Sequence, residues 1–141
     1  MGKDAKGLSA TNITRLKQSW EQEYKNWNKR SLEGKRYVYI WADGIYFNVR
    51  LGDDRICFLV ILGALPNGNK ELVAIHNGYR ESKISWSEIL ENLKRRGLQS
   101  SPELAIGDGA LGFWSALEEV FPKTKQQRCW VHKTANILDK M

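Results

Sequence analysis

Two aspartates close apolar runs, and each is followed directly by glycine: Tyr37-Val-Tyr-Ile-Trp-Ala-Asp43-Gly44 and Leu104-Ala-Ile-Gly-Asp108-Gly109. A carboxylate among apolar residues is costly unless a partner or a metal compensates it. Two of them suggest a divalent-metal site at the tips of two strands, with Asp43 and Asp108 as ligands. On neighbouring strands, about 4.8 Å apart, the pair could share two ions roughly 3.5 to 4 Å from each other. That arrangement serves in-line attack on a phosphodiester, one ion activating water or a 3′-hydroxyl and the other stabilising the leaving oxygen. Gly44 and Gly109 would leave room beside each carboxylate for a nucleic-acid backbone. The plainer reading is that Asp-Gly is a common turn dipeptide.

Two further patterns compete for the same residues. Gly107-Asp-Gly109-Ala-Leu-Gly112 satisfies the G-x-G-x-x-G spacing of a dinucleotide site, which needs a strand before it and a helix after it. Here the charge of Asp108 would repel a pyrophosphate, and Arg128 and His132 stand where the ribose-binding acid is expected. Cys129-x-x-His132 is half of a zinc site, for which only Cys57 and His76 remain as further ligands. Otherwise Cys129 packs in the core and His132 lies near the active-site end of its strand, within reach of a phosphate or the metal shell.

The chain has 141 residues, enough for one core and too few for two ordinary domains. A hydrophobic fraction of 42% with six Trp and five Tyr belongs to a folded protein. Neither a membrane-length apolar run nor a secretory signal is visible, so a cytoplasmic location with reduced cysteines is expected, and no membrane partner. The net charge of +6 is uneven. Residues 1–36 carry nine Lys/Arg against four Asp/Glu, residues 37–121 eight against eleven, and residues 122–141 five against one. An acidic middle with basic flanks suits a metal site that handles a polyanion, DNA being the expected partner. Arg15, Lys17, Lys29, Arg30, Lys35, Arg36, Arg128 and Lys133 are the candidate phosphate contacts. An ordinary basic surface is the alternative.

The positioning elements follow from periodicity. Leu8 to Arg30 reads as a helix with Ile13, Leu16, Trp20, Tyr24 and Trp27 on one stripe. Residues Gly7 to Leu16 also resemble the end of a helix-turn-helix, with a connecting helix as the alternative. Arg36–Leu51, Ile56–Leu65 and Leu72–Tyr79 read as three strands joined by turns at Gly52-Asp-Asp54 and Pro66-Asn-Gly-Asn69, and Tyr37, Tyr39, Trp41 and Asp43 are expected on one face. Ser85-Trp-Ser-Glu88 is a capping box opening a helix that Gly97 closes. A strand at Leu104–Ile106, a helix at Leu111–Phe121, a strand at Gln126–His132 and a helix from Thr134 complete the order β-β-β-α-β-α-β-α. This is the order of an α/β, ribonuclease-H-like mixed sheet. Residues 1–35 are expected to form a basic amphipathic helix, remnant of or linker from a DNA-binding region. Residues 36–141 would then form a partial catalytic domain.

Taken together, Tyr37 to Phe47, Gly78-Tyr-Arg-Glu-Ser82 with Trp86, Ile106 to Trp114, and Arg128-Cys-Trp-Val-His-Lys-Thr-Ala-Asn136 resemble the bacterial insertion-sequence transposases of the Mutator superfamily. The likeness covers about residues 8–141. It implies a ribonuclease-H-like core that uses two Asp and one Glu with Mg²⁺ or Mn²⁺ to cleave and transfer DNA strands. By that resemblance Asp43 and Asp108 are the first two catalytic carboxylates and His132 belongs to their neighbourhood. The third acid of such proteins lies beyond a helical insertion, and Glu118, Glu119 and Asp139 do not stand in its place. An internal piece of a transposase is therefore expected, inactive alone and a homo-oligomer when whole. A non-catalytic DNA-binding remnant and a nucleotide-binding module are the alternatives.

Overall fold

The computed structural model describes residues 9–48, 55–78, 80–109 and 111–141. The chain divides into two compact units, Met1–Arg30 and Ser31–Met141. In the first, helix α1 (Ala10–Asn28) is capped by Ser9, whose side chain accepts the Asn12 amide at 3.3 Å. One continuous helix runs from Ala10 where either a helix-turn-helix second helix or a connecting helix was expected, and Gly7 and Leu8 lie outside the described residues. Within the helix, Glu21 and Lys25 pair at 2.8 Å, one turn apart.

The second unit is built on a five-stranded mixed sheet. Its strands are β1 (Tyr39–Asn48), β2 (Arg55–Ala64), β3 (Lys70–Gly78), β4 (Leu104–Gly107) and β5 (Lys125–Arg128), in the spatial order β3-β2-β1-β4-β5. The first three form an antiparallel meander, whereas β4 runs parallel to β1 and β5 parallel to β4. Helices α2 (Lys83–Arg95), α3 (Leu111–Val120) and α4 (Trp130–Leu138) follow β3, β4 and β5 in turn. This is the ribonuclease-H-like arrangement that the order of elements predicts. Among the described residues, no helix is long and apolar enough to cross a membrane.

The β2–β3 turn forms where Asn67 and Gly68 predict it. The Leu65 amide donates to the Asn69 carbonyl at 2.8 Å, and Gly68 takes φ 86°. The turn expected at Gly52–Asp54 falls outside the described residues. Alternation sends Ile40 and Ala42 of β1 and Cys57, Leu59 and Ile61 of β2 into one core with Trp86, Leu90, Phe113 and Leu117 from α2 and α3. The Trp86 and Phe113 rings meet edge to face at 5.0 Å. Tyr39 and Trp41 belong to the opposite row of β1. Tyr37 does not join them as expected: it precedes the strand and is buried, its ring lying where a side chain on Gly63 would otherwise stand.

Two boundaries differ from the sequence expectation. Helix α2 starts three residues early because Ser82, not Ser85, is its cap: the Ser82 Oγ accepts the Ser85 amide at 3.1 Å. Glu88, expected to close a capping box, instead lies 3.7 Å from His76 Nε2. The strand expected over Gln126–His132 ends at Arg128, and α4 begins at Trp130 rather than Thr134. At the other end of α2 the expectation holds. Gly97 adopts φ 103°, and the Leu98 amide returns to the Leu93 carbonyl at 3.1 Å.

Leu90 is fully buried at the helix–sheet contact, so Leu90→Ala is expected to cost about 2–5 kcal/mol in chemical denaturation; an unchanged midpoint would contradict this packing. The two thiols are expected to separate by reactivity. Cys57 is buried, and burial holds its thiol above the ordinary range, opposed in part by a hydrogen bond with Tyr46. Cys129 is half-exposed. At pH 8 a thiol reagent is expected to modify one cysteine of the native chain and the second only on unfolding, with the first phase absent in Cys129→Ser. Two equally fast thiols would refute the burial of Cys57.

Candidate metal centre

The parallel pairing of β1 with β4 matches Tyr39 with Leu104, Ile40 with Ala105 and Trp41 with Ile106. Continued by two residues, this register brings Asp43 level with Asp108, on strands whose axes lie about 4.8 Å apart. Asp43 remains within β1, opposite Val60 of β2, while Asp108 stands immediately beyond the last residue of β4. Both are exposed. The expectation of charges buried among apolar residues is therefore corrected: Asp43 shares the row of Tyr39 and Trp41, away from the helix-covered face, and Asp108 has left the strand. What the register sets side by side is two carboxylates at the same level of adjacent strands.

A third carboxylate lies across the strand from them, on the helix-covered side of β1. Glu81, in the connection between β3 and α2, sets its carboxyl over Gly44, where a Cβ would overlap it. The Tyr46 hydroxyl donates to Glu81 Oε2 at 3.0 Å. The same connection is held from the other side by α3, where a Cβ on Gly112 would come within 2.8 Å of the Lys83 nitrogen. Burial raises the Glu81 carboxyl above the usual carboxylate range, and the Tyr46 hydrogen bond opposes this. The negative charges of Asp108 and Asp43 raise it further, and His132 lowers it. Three carboxylates and one imidazole thus share one local field. They do not close on a point: among the described residues, no three His, Cys, Asp or Glu side chains converge as ligands of one ion.

The glycines after the aspartates have a different use from the one expected. The space beside Gly44 is taken by Glu81, and a Cβ on Gly109, which has φ 99°, would lie 3.2 Å from Arg128 Nε. In the G-x-G-x-x-G segment, Gly109 faces Arg128 and Gly112 faces the backbone of Ser82 and Lys83.

Cys129 and His132 lie outside the strand predicted for them. Cys129 is the residue before α4, half-exposed rather than packed in the core, and its amide donates to the Gly107 carbonyl at 2.6 Å. His132 lies in the first turn of α4, near enough to Glu81 to act on it, and its Nδ1 is buried without a hydrogen-bond partner. Among the candidate phosphate contacts, two cations of the second unit already have carboxylate partners. Lys35 pairs with Glu71 at 3.2 Å and Arg36 with Glu103 at 2.6 Å. Arg30 stacks over Trp27 at 4.4 Å, and Lys133 over Trp130 at 5.6 Å. Arg15, Lys17, Lys29 and Arg128 are exposed.

Glu81 is the residue that the sequence alone did not single out. It sits inside a motif that carried resemblance without a role. The available signal was an acid placed one residue before a helix cap, across from an Asp-Gly pair.

Comparison with known proteins gives this geometry a setting. The chain is 56% identical to the transposase of insertion sequence IS6120 from Mycolicibacterium smegmatis, over 94% of its own length and 41% of that protein. It is 53% identical to the transposase of IST2 from Acidithiobacillus ferrooxidans, over its whole length and 48% of that protein. The chain therefore spans about half the length of these curated relatives, or less. Among solved structures it is similar to the catalytic core of HTLV-2 integrase, at 13% identity over 77% of this chain and 70% of that one, with a TM-score of 0.43. The sequence also matches the family described as "Transposase, Mutator family" from residue 2 to residue 141, so the protein whose strands align Asp43 with Asp108 belongs to the Mutator family of transposases.

Proposed function

We propose that this chain is the catalytic-core portion of a DNA transposase, and that Asp43 and Asp108 bind the divalent cation on which strand cleavage and transfer depend. The observation that carries the reading is the β1–β4 register, which brings those two carboxylates level in a chain of this family. The donor set fits a hard cation such as Mg²⁺ or Mn²⁺: carboxylate oxygens at an exposed strand end, with no thiolate among them. When bound, such an ion supplies Lewis-acid stabilisation of the phosphoryl oxygens and lowers the pKa of attacking water. Asp43 and Asp108 would hold it. Arg128, beside the turn that follows Asp108, would bring a positive charge to the phosphate being attacked. His132 would bring an imidazole to the same edge.

Cleavage and joining of transposon ends belong to the full-length context of the relatives. For the 141-residue chain the expected properties are cation binding and DNA binding. The alternative, a DNA-binding portion without catalysis, draws support from the lack of a convergent three-ligand group among the described residues.

Calorimetric titration separates the two. Mn²⁺ is expected to bind the chain, and Asp43→Asn or Asp108→Asn to remove detectable binding. A parent chain that binds duplex DNA but no Mn²⁺ would establish the non-catalytic alternative. DNA affinity is expected to fall steeply with salt, and Arg128→Ala to reduce the slope of log K against log[salt] by about 1. A salt-insensitive affinity, or a slope unmoved by that substitution, would remove Arg128 from the phosphate contacts.

A further inference from the structure

We propose that the face of the sheet turned away from α2 and α3, centred on Tyr39 and flanked by Lys70, Lys123 and Lys125, is a stacking site for unpaired bases of a DNA strand. The inference takes from the reading above only that the chain binds DNA, and it needs no cation.

The strand register carries it. Tyr39 pairs with Ala64 of β2 and with Leu104 of β4, Ala64 pairs with Lys70 of β3, and Leu104 pairs with Lys125 of β5. Paired residues share a face of the sheet, and Ile40 and Ala42 hold the other face against the helices. One line of side chains therefore crosses all five strands, with a tyrosine at its middle and a lysine at each edge. At about 4.8 Å per strand the two lysines stand roughly 19 Å apart. Tyr39 is 44% exposed, and the Trp41 ring lies 6.3 Å from its own at a tilt of 57° rather than stacked upon it. A hollow opens on each side of the tyrosine. One, of about 400 Å³, is bounded by Tyr39, Trp41, Pro66 and Lys70 among others. The other, of about 420 Å³, is bounded by Tyr39, Glu103, Leu104, Lys123 and Lys125.

The chemistry of the lining selects the partner. Among the described residues no carboxylate pairs with Lys70, Lys123 or Lys125. Glu103, the acid at the second hollow, is already balanced by Arg36 at 2.6 Å. Lys70 Nζ lies over the Trp41 ring at 5.1 Å, which joins a cation to an aromatic surface. An exposed ring between cations fits a ligand that is planar at one end and anionic at the other, as a nucleotide in a single strand is. In a duplex the bases stack on one another and close their faces to a protein ring, so the site requires unpaired bases. Tyr39, Trp41 and Asp43 share one row of β1, with Tyr39 about 13 Å before Asp43 along the strand. A DNA strand seated on Tyr39 and extended along that row reaches the aspartate end of the sheet.

The test is fluorescence anisotropy of the 141-residue chain with a strand of about ten thymidines, an abasic strand of the same length and a duplex. The thymidine strand is expected to bind on the order of tenfold tighter than the abasic one, the scale of one stacked base. Tyr39→Ala is expected to bring thymidine binding down to the abasic level and to leave abasic binding unchanged. Lys123→Ala combined with Lys125→Ala keeps the rings; it is expected to weaken both strands alike and to lower the salt slope by about 1.4, the value for two phosphate contacts on a single strand. If Tyr39→Ala does not fold, the thymidine preference of the parent and the slope of the lysine variant decide the matter. Equal affinity for thymidine and abasic strands, or a preference untouched in folded Tyr39→Ala, would overturn the stacking site and leave duplex binding standing. A parent chain that binds none of the three probes would overturn the DNA reading as well. A DNA-free chain that sediments as a dimer, and as a monomer once Tyr39 is replaced, would assign this face to a second copy and overturn the proposal.

Discussion

The parallel pairing of β1 with β4 is the contact on which the rest of this structure depends. It covers only three residue pairs, yet it turns an antiparallel meander into a mixed sheet and brings two distant aspartates to one level. A parallel neighbour requires a crossover, and the segment from β3 to β4 supplies it with α2. The helix stays on the sheet because Trp86, Ile89, Leu90 and Leu93 reach the core together. The hydrophobic face of one helix is thus what sets the spacing of two charges at the opposite end of a strand.

β1 carries a different duty on each of its faces. Ile40 and Ala42 enter the core, and the same row continues outward as Gly44 and Tyr46, the two residues that receive Glu81. The other row carries Tyr39, Trp41 and Asp43. A single change of pleat therefore separates the carboxylate that belongs to the strand from the one that leans over it. A register slip of one residue would exchange the two rows and dismantle both arrangements.

Much of this was legible in the residues. Apolar alternation before Asp43, the Asn67-Gly68 turn and Gly97 after a basic last turn each define an element by local chemistry, and the structure keeps all three. The aspartate pair was legible because a ribonuclease-H-like order places its first and fourth strands side by side. The misread features are those decided by tertiary contact. Ser82 and Ser85 are both good caps, and the choice fell to the one whose hydroxyl meets the Ser85 amide. Trp130 and Val131 suit a strand as well as a helix, and α4 claimed them. The exposure of Asp43 depends on which face of β1 the helices cover, and the position of Glu81 depends on closure over Gly44. Spacing along the chain encodes neither.

The unequal lengths of the pairings have a consequence for how the molecule assembles. β1 meets β2 over ten residue pairs through neighbouring segments, whereas β1 meets β4 over three, across a long stretch of chain. Closing a longer loop has the larger entropic cost, so the meander is the part that forms on local contacts and the β1–β4 seam is the slow one. That closure sets Asp43 level with Asp108. A cation that binds only the closed sheet would shift the balance the other way by mass action. Under the proposed reading the carboxylate pair would thus also be a folding element: the ion that would serve the chemistry is the ion that would hold shut the last seam of the sheet.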